Sequence, residues 1–348
     1  MVAGLLALLW QSLCLGQAGT LERTQITSAR LDNMVGDATT RPLIVYLPPG
    51  YAAGTAEYPT VYVLHGFFGN AESMTTIIPA IDSAVQGGQI PEMIYVFPDG
   101  SNRFNGSMYL GSQTIGDYES YLAADVVDLV DSSYRTIADR RSRGITGFSM
   151  GGWGSMRFAL QYPETFGAVV AQAGAYDLDS DWWKRLSSTA ASANPADWSA
   201  YGSVFAFSQF VFAMSAAANP NPDRPPFYLD LTYEVVDGTA QVVPERWEEQ
   251  IGVDPVNGLL DGYLGQPVRL EGIKFVHGRS DAVVPVSQAR RLDAVLSERG
   301  VEHVYVEHAG AHEFLPAESL QFLAGTLSGE TRSSSVEVST WAAIKAAF

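Results

Sequence analysis

Glycine stands on both sides of a serine in Gly147-Phe148-Ser149-Met150-Gly151, between the short apolar run that begins at Arg143 and the helical segment that stops before Pro163. A serine held in a strand-to-helix turn sharp enough to push its side chain out over a sheet edge is strained, and its neighbours two residues away on either side must be small. Glycine at both places meets that demand. The chain is therefore expected to form a short strand over RGITGFS, 143–149, and to start a helix at Met150.

The remaining sequence supplies the partners that such a strand needs. Apolar runs punctuated by Pro or Gly at 41–51, 59–70, 91–100, 166–177, 272–281 and 302–312 predict strands. Between them, residues 118–134 place Leu122, Val126, Val127 and Val130 on one helical face, and 287–300 repeats the helical spacing. This alternation predicts an α/β fold, a mostly parallel sheet with helices on both faces. A chain of 348 residues that is 47% hydrophobic can bury one large core or two modest ones. The rhythm breaks between Leu178 and Arg269, where Trp182, Trp183, Trp198, Tyr201, Phe205 and Phe207 crowd together ahead of the proline cluster 219–227. That stretch is too long for a plain loop and reads as an inserted lid, most of its aromatics forming a small core of their own. The expected organisation is a core in two parts, 19–177 and 270–327, with a lid or cap at 178–269 and a Ser-rich linker and tail at 328–348.

Residues 1–18 are uncharged and Leu-rich, end in Gly16-Gln17-Ala18 and hold the single cysteine, Cys14. The apolar run is short for a membrane span and suits a secretory signal, although no Lys or Arg precedes it, so the expectation is a secreted or periplasmic protein. The formal charge of −17, from 38 acidic and 21 basic residues, is spread singly along the chain. It argues against nucleic acid and anionic membranes as partners.

A serine hydroxyl needs a base, normally a histidine that is itself held by a carboxylate. Of the five histidines, His312 follows the last expected strand in a loop of small residues, whereas His277, His303 and His308 fall in or at the ends of strands and read as packing or surface residues. The nucleophile-acid-histidine chain order that accompanies such a turn favours Asp281, in the loop after the strand at 272–278, with Asp177 as a rival. A zinc site at His308 and His312 is disfavoured, because Gly310 breaks the helix it would need and Ala309 stands where a glutamate is required. The oxyanion donors expected are the backbone N–H groups of Met150, next to the serine, and Phe67, in the glycine loop His65-Gly66-Phe67. No metal or organic cofactor is expected.

The segments VYVLHGFFGN, YVFPDG, GDYESYLAADVVDLVDSSYRT, GITGFSMGGWGSMRFALQYPETFGAVVAQAGAYD, GRSDAVVP and AGAH together resemble the esterase family related to esterase D. That family groups feruloyl and acetylxylan esterases, S-formylglutathione hydrolases, enterochelin esterases and mycolyltransferases, and the likeness runs from about Arg41 to about Leu323. It implies an α/β-hydrolase fold, a Ser149, Asp281, His312 triad and hydrolysis of a small-molecule or polysaccharide-linked ester, such as a feruloyl or acetyl ester, without a cofactor. Thioester hydrolysis on S-formylglutathione, acyl transfer to a sugar hydroxyl and a non-catalytic scaffold are the alternatives. Two departures bear on the pocket: the aromatic insert is large, and His312 is followed by EFLPAESLQF in place of the polar loop that many relatives show.

Overall fold

The computed structural model describes residues 18–193 and 195–327. The signal-like segment, except Ala18, and the tail at 328–348 lie outside the described residues. One sheet is formed by β1 (Thr20–Thr27), β2 (Thr40–Leu47), β3 (Thr60–Leu64), β4 (Ile94–Pro98), β5 (Arg143–Phe148), β6 (Ala168–Gln172), β7 (Gly272–Gly278) and β8 (Val304–His308). Their order is β1-β2-β4-β3-β5-β6-β7-β8. The two pairings made by β2 are antiparallel and the rest are parallel. This is the mostly parallel α/β sheet that the alternation of segments predicts.

Every residue of β3, β4 and β6 is buried, which is why these strands read as continuous apolar runs instead of alternating ones. Strand β1 is the one that the sequence did not reveal. Only Ile26 of its eight residues is buried, and its place is set by the free edge of β2 and not by any apolar pattern of its own.

The helices that matter here are α1 (Ile78–Gln86), α2 (Met150–Gln161), α3 (Asp181–Ala193), α4 (Ala206–Ala218), α5 (Ser287–Glu298) and α6 (Pro316–Leu327). On one face of the sheet Ile81, Leu320 and Leu323 of α1 and α6 close a core against Val61, Val63 and Val170. On the other, α2 is buried from Met150 to Leu160, enclosed between the sheet and the segment that joins β6 to β7. That connecting segment carries α3, α4 and the hairpin Tyr233–Val236/Thr239–Val242, and adds no strand to the main sheet. Its aromatics do not form a separate core as expected. Trp198, Tyr201 and Phe227 pack against Phe104, which precedes α2 in the first part of the chain, and the apolar cluster is continuous across both. Among the described residues no helix is long and apolar enough to cross a membrane.

The turn after β5 is closed by backbone contact. A β-carbon on Gly147 would stand 2.2 Å from the carbonyl oxygen of Gly151, and one on Gly151 would stand 2.2 Å from that of Leu64. Backbone cannot yield as a flexible side chain can. We expect Gly151→Ala to lower unfolding stability in urea by about 3 kcal/mol or more, at the upper end of overpacking penalties. Gly262→Ala is the control: nothing lies within 4 Å of the added carbon, which sits in the helix Leu260–Gly265. It should stabilise by up to about 1 kcal/mol through helix propensity alone.

Candidate active site

Ser149 occupies φ 58°, ψ −114°, a conformation that side chains other than glycine's rarely adopt. Two backbone bonds hold it there. Its N–H donates to the carbonyl of Gln172 at 2.9 Å, at the end of the neighbouring strand β6, and its carbonyl accepts from Trp153 N–H at 2.9 Å. Strand and helix thus clamp the residue between them, and its side chain is left to face a cavity.

Gln172 also acts through its side chain. Fully buried, it donates from Nε2 to the carbonyl of Leu315 at 3.0 Å and to Ser319 Oγ at 2.8 Å, and its Oε1 accepts from Leu315 N–H at 2.9 Å. One residue therefore fixes Ser149 through its backbone and the loop carrying His312 through its amide. Sequence reasoning missed it. The signal was a lone amide closing the buried run Ala168-Val169-Val170-Ala171.

His312 Nδ1–H donates to Asp281 Oδ2 at 2.7 Å, and its ring lies 4.7 Å from that of Phe148, the residue before Ser149. The other Asp281 oxygen accepts from the N–H groups of Val283 and Val284, both at 2.8 Å. Burial pushes the Asp281 carboxyl up, but the bonds from His277, His312 and the Val284 N–H outweigh it, holding the group well below the ordinary carboxylate range. His277, read from sequence as a packing residue, is buried but not inert. Its Nε2 stands 3.3 Å from the same Oδ2 and 2.9 Å from the carbonyl of Val284. Both are acceptors, so Nε2 carries the proton.

Asp177 faces elsewhere, its Oδ1 accepting from Asn257 Nδ2 and Asp179 N–H, each at 3.0 Å. His303 is bonded to Asp293 at 3.0 Å, and His308 Nδ1 accepts from Gly310 N–H at 3.1 Å. Of the two carboxylates weighed from sequence, Asp281 is the one in contact with His312.

The loop after β3 runs beside the serine, close enough that a β-carbon on Gly66 would lie 3.3 Å from Ser149 Cβ. His65, fully buried, accepts Gly100 N–H on Nε2 at 2.9 Å, which leaves the proton on Nδ1 to meet the Gly66 carbonyl at 2.8 Å. That carbonyl also accepts Gly69 N–H at 3.0 Å. In a trans peptide the N–H points opposite to the carbonyl, so anchoring Gly66 C=O turns Phe67 N–H the other way. Met150, first residue of α2, has an N–H with no acceptor inside its helix. Among the described residues neither N–H has an acceptor, so the arrangement offers two donors at the serine that are not otherwise committed.

Ser149 and His312 open into a cavity of ≈ 380 Å³ whose other walls include Phe67, Phe148, Trp182, Phe207, Phe210 and Val284. None of its lining residues is an Asp, Glu, Lys or Arg. Trp182, Phe207 and Phe210 come from the segment at 178–269, so part of the aromatic insert does face the site.

A family model described as "Putative esterase" matches residues 38–214, just over half of the chain. An uncharacterized protein of Bacillus subtilis, YbbA, is 26% identical over 163 residues, 44% of this chain and 62% of that one. An endo-1,4-beta-xylanase/feruloyl esterase of Xylanibacter ruminicola is 34% identical over 132 residues, 35% of this chain and 18% of that one. In each case the chain spans less than two thirds of the relative's length. A solved ferulic acid esterase superposes with a TM-score of 0.58 at 17% identity, covering 89% of this chain and 99% of the other. At that identity the likeness speaks for the fold.

Two stability measurements follow from the geometry. Gln172→Leu strips partners from Leu315 N–H and C=O and should cost about 2 kcal/mol in urea unfolding. Because the folded-state pKa of Asp281 is depressed, its stabilisation is complete above the unfolded aspartate value of about 4 and is lost as pH falls through the lower folded value. The stability gap between wild type and Asp281→Asn should therefore be widest above about pH 5 and narrow on acidification.

Proposed function

This chain belongs to the family described as "Putative esterase", and from that premise we propose that it is a serine carboxylic-ester hydrolase working through an acyl-enzyme. The observation that carries the reading is the meeting of Ser149 and His312 in one cavity, with Asp281 bonded to the far side of the His312 ring. Ser149 Oγ attacks the ester carbonyl while His312 Nε2 takes its proton, and the same nitrogen returns that proton to the leaving alcohol. Asp281 keeps the other proton on Nδ1 and stabilises the imidazolium as it forms. The N–H groups of Phe67 and Met150 receive the charge that develops on the carbonyl oxygen. Water, activated by His312, then releases the acid and restores Ser149.

The uncharged aromatic lining supports an apolar acyl group, of which feruloyl is one example, over the small acetyl group. It speaks against S-formylglutathione, whose formyl group would leave the cavity unfilled and whose peptide charges would meet no charged side chain there. The Leu-rich apolar run near the start of the sequence and the small residues Gly16-Gln17-Ala18 that follow it support action outside the cytoplasm.

Turnover of p-nitrophenyl acetate, butyrate and octanoate and of methyl ferulate tests the reading. Ser149→Ala and His312→Ala should each lower kcat by about 10⁶-fold and Asp281→Asn by about 10⁴-fold, and Ser149 should be the residue labelled by a fluorophosphonate. Asp177→Asn should keep wild-type activity; if it is the variant that loses turnover, the assignment of the acid falls. Labelling without turnover would replace water by a hydroxyl acceptor as the acyl recipient.

A further inference from the structure

We propose that the mouth of this cavity docks on the surface of a water-insoluble, uncharged ester, so that the enzyme works at an interface and not only on dissolved molecules. The inference rests on the ester-hydrolase reading above and names how the substrate is presented. Among the described residues only two aromatic side chains are exposed, Phe68 at 57% and Phe205 at 64%. Phe68 lines the cavity, and Phe205 precedes Ala206 and Phe207, which line it too. Val283, also exposed, lines the same cavity. Scattered apolar side chains on a surface are ordinary, but here the exposed aromatics are gathered at one opening.

Each ring at the mouth continues inward as an aromatic path. Phe205 meets Phe207 at 5.3 Å between centroids, while Phe68 meets Phe67 at 4.6 Å and Phe67 meets Phe210 at 5.2 Å. Phe68 is held outward at φ 63°, a left-handed conformation that is uncommon for a bulky residue, with its N–H donating to the Asn105 carbonyl at 2.9 Å. A strained backbone that presents a large apolar ring to water is a state that the fold must maintain against a cost.

Because the rim is continuous with the cavity, whatever covers the rim is also what feeds Ser149. The occupant is therefore the phase that contains the ester. The chain's charge of −17 repels anionic lipid surfaces but puts no penalty on an uncharged droplet or polymer. Partitioning of the two rings into such a phase would replace their hydration.

The test is the rate on tributyrin measured through its solubility limit, with dissolved p-nitrophenyl acetate as the monomeric substrate. Phe205 lies outside the cavity wall, so Phe205→Ser should leave the rate on p-nitrophenyl acetate at the wild-type level. The wild-type rate should rise beyond its dissolved-substrate plateau once droplets form, and Phe205→Ser should lower that droplet rate about tenfold, the loss expected when one Phe side chain no longer leaves water. No rise at the solubility limit, or an equal effect of Phe205→Ser on dissolved and emulsified substrate, overturns the proposal. So does a dimer in sedimentation that Phe205→Ser dissociates, since the mouth would then be covered by a second copy. Recruitment to anionic vesicles as strong as to neutral droplets overturns it as well. Failure of the underlying function looks different: no turnover of any dissolved ester and no labelling of Ser149 by a fluorophosphonate.

Discussion

The site depends on the last residue of one central strand. Gln172 ends β6 with its carbonyl on the N–H of Ser149 and its side-chain amide on both backbone groups of Leu315, so two loops that are far apart in sequence are registered through a single buried side chain. A strand end is a suitable place for this because the backbone of a central strand has little freedom to move. Position is set for the serine by a main-chain bond and for the histidine loop by a planar amide, whose donor and acceptor lie side by side and match those of a peptide group. The glycines around Ser149 serve the same closeness: Gly151 brings the start of α2 against the carbonyl of Leu64 at a distance that admits no side chain.

Electrostatic order in the site comes from pairing buried groups one by one. Asp281 Oδ1 takes two backbone N–H groups, and Oδ2 faces His312 and His277. Four donors around one buried carboxylate keep it ionised despite its burial, which is the condition for holding His312 with the proton on Nδ1. His277 Nδ1 is buried without a partner among the described residues. The proton on Nε2 is therefore fixed by what that nitrogen faces and not by any bond on the other side of the ring. On the opposite side of Ser149, His65 does comparable work for the backbone: its two ring nitrogens are committed to Gly100 N–H and the Gly66 carbonyl, and the peptide that follows is oriented as a result.

Around this polar centre the chain has built an apolar chamber. The segment between β6 and β7 contributes rings to the chamber and to the common core at once, with Phe210 packing on Trp183 at 5.4 Å as well as on Phe67. An insert anchored in this way has its cavity-facing side chains held by buried neighbours. The outward rings, Phe68 and Phe205, lack such neighbours on their solvent side and form the boundary between chamber and surroundings.

Sequence alone located every strand of the sheet but β1, because two-sided burial writes itself as uninterrupted apolar runs and because glycines two residues either side of Ser149 answer a local steric demand. It also ordered Ser149, Asp281 and His312 along the chain, since each sits just after a strand. Side-chain direction was beyond it: chain order favoured Asp281 over Asp177 without showing which of them reaches His312. Asp177 and Asp281 both follow strands, and only the fold turns Asp281 to His312 and Asp177 to Asn257. Strand β1 carries no apolar pattern because it is an exposed edge, and its existence depends on what β2 leaves unpaired. The roles of Gln172, His277 and the exposed rings were likewise decided by tertiary structure. Each depends on which groups meet across long sequence separations, and local periodicity holds no record of such meetings.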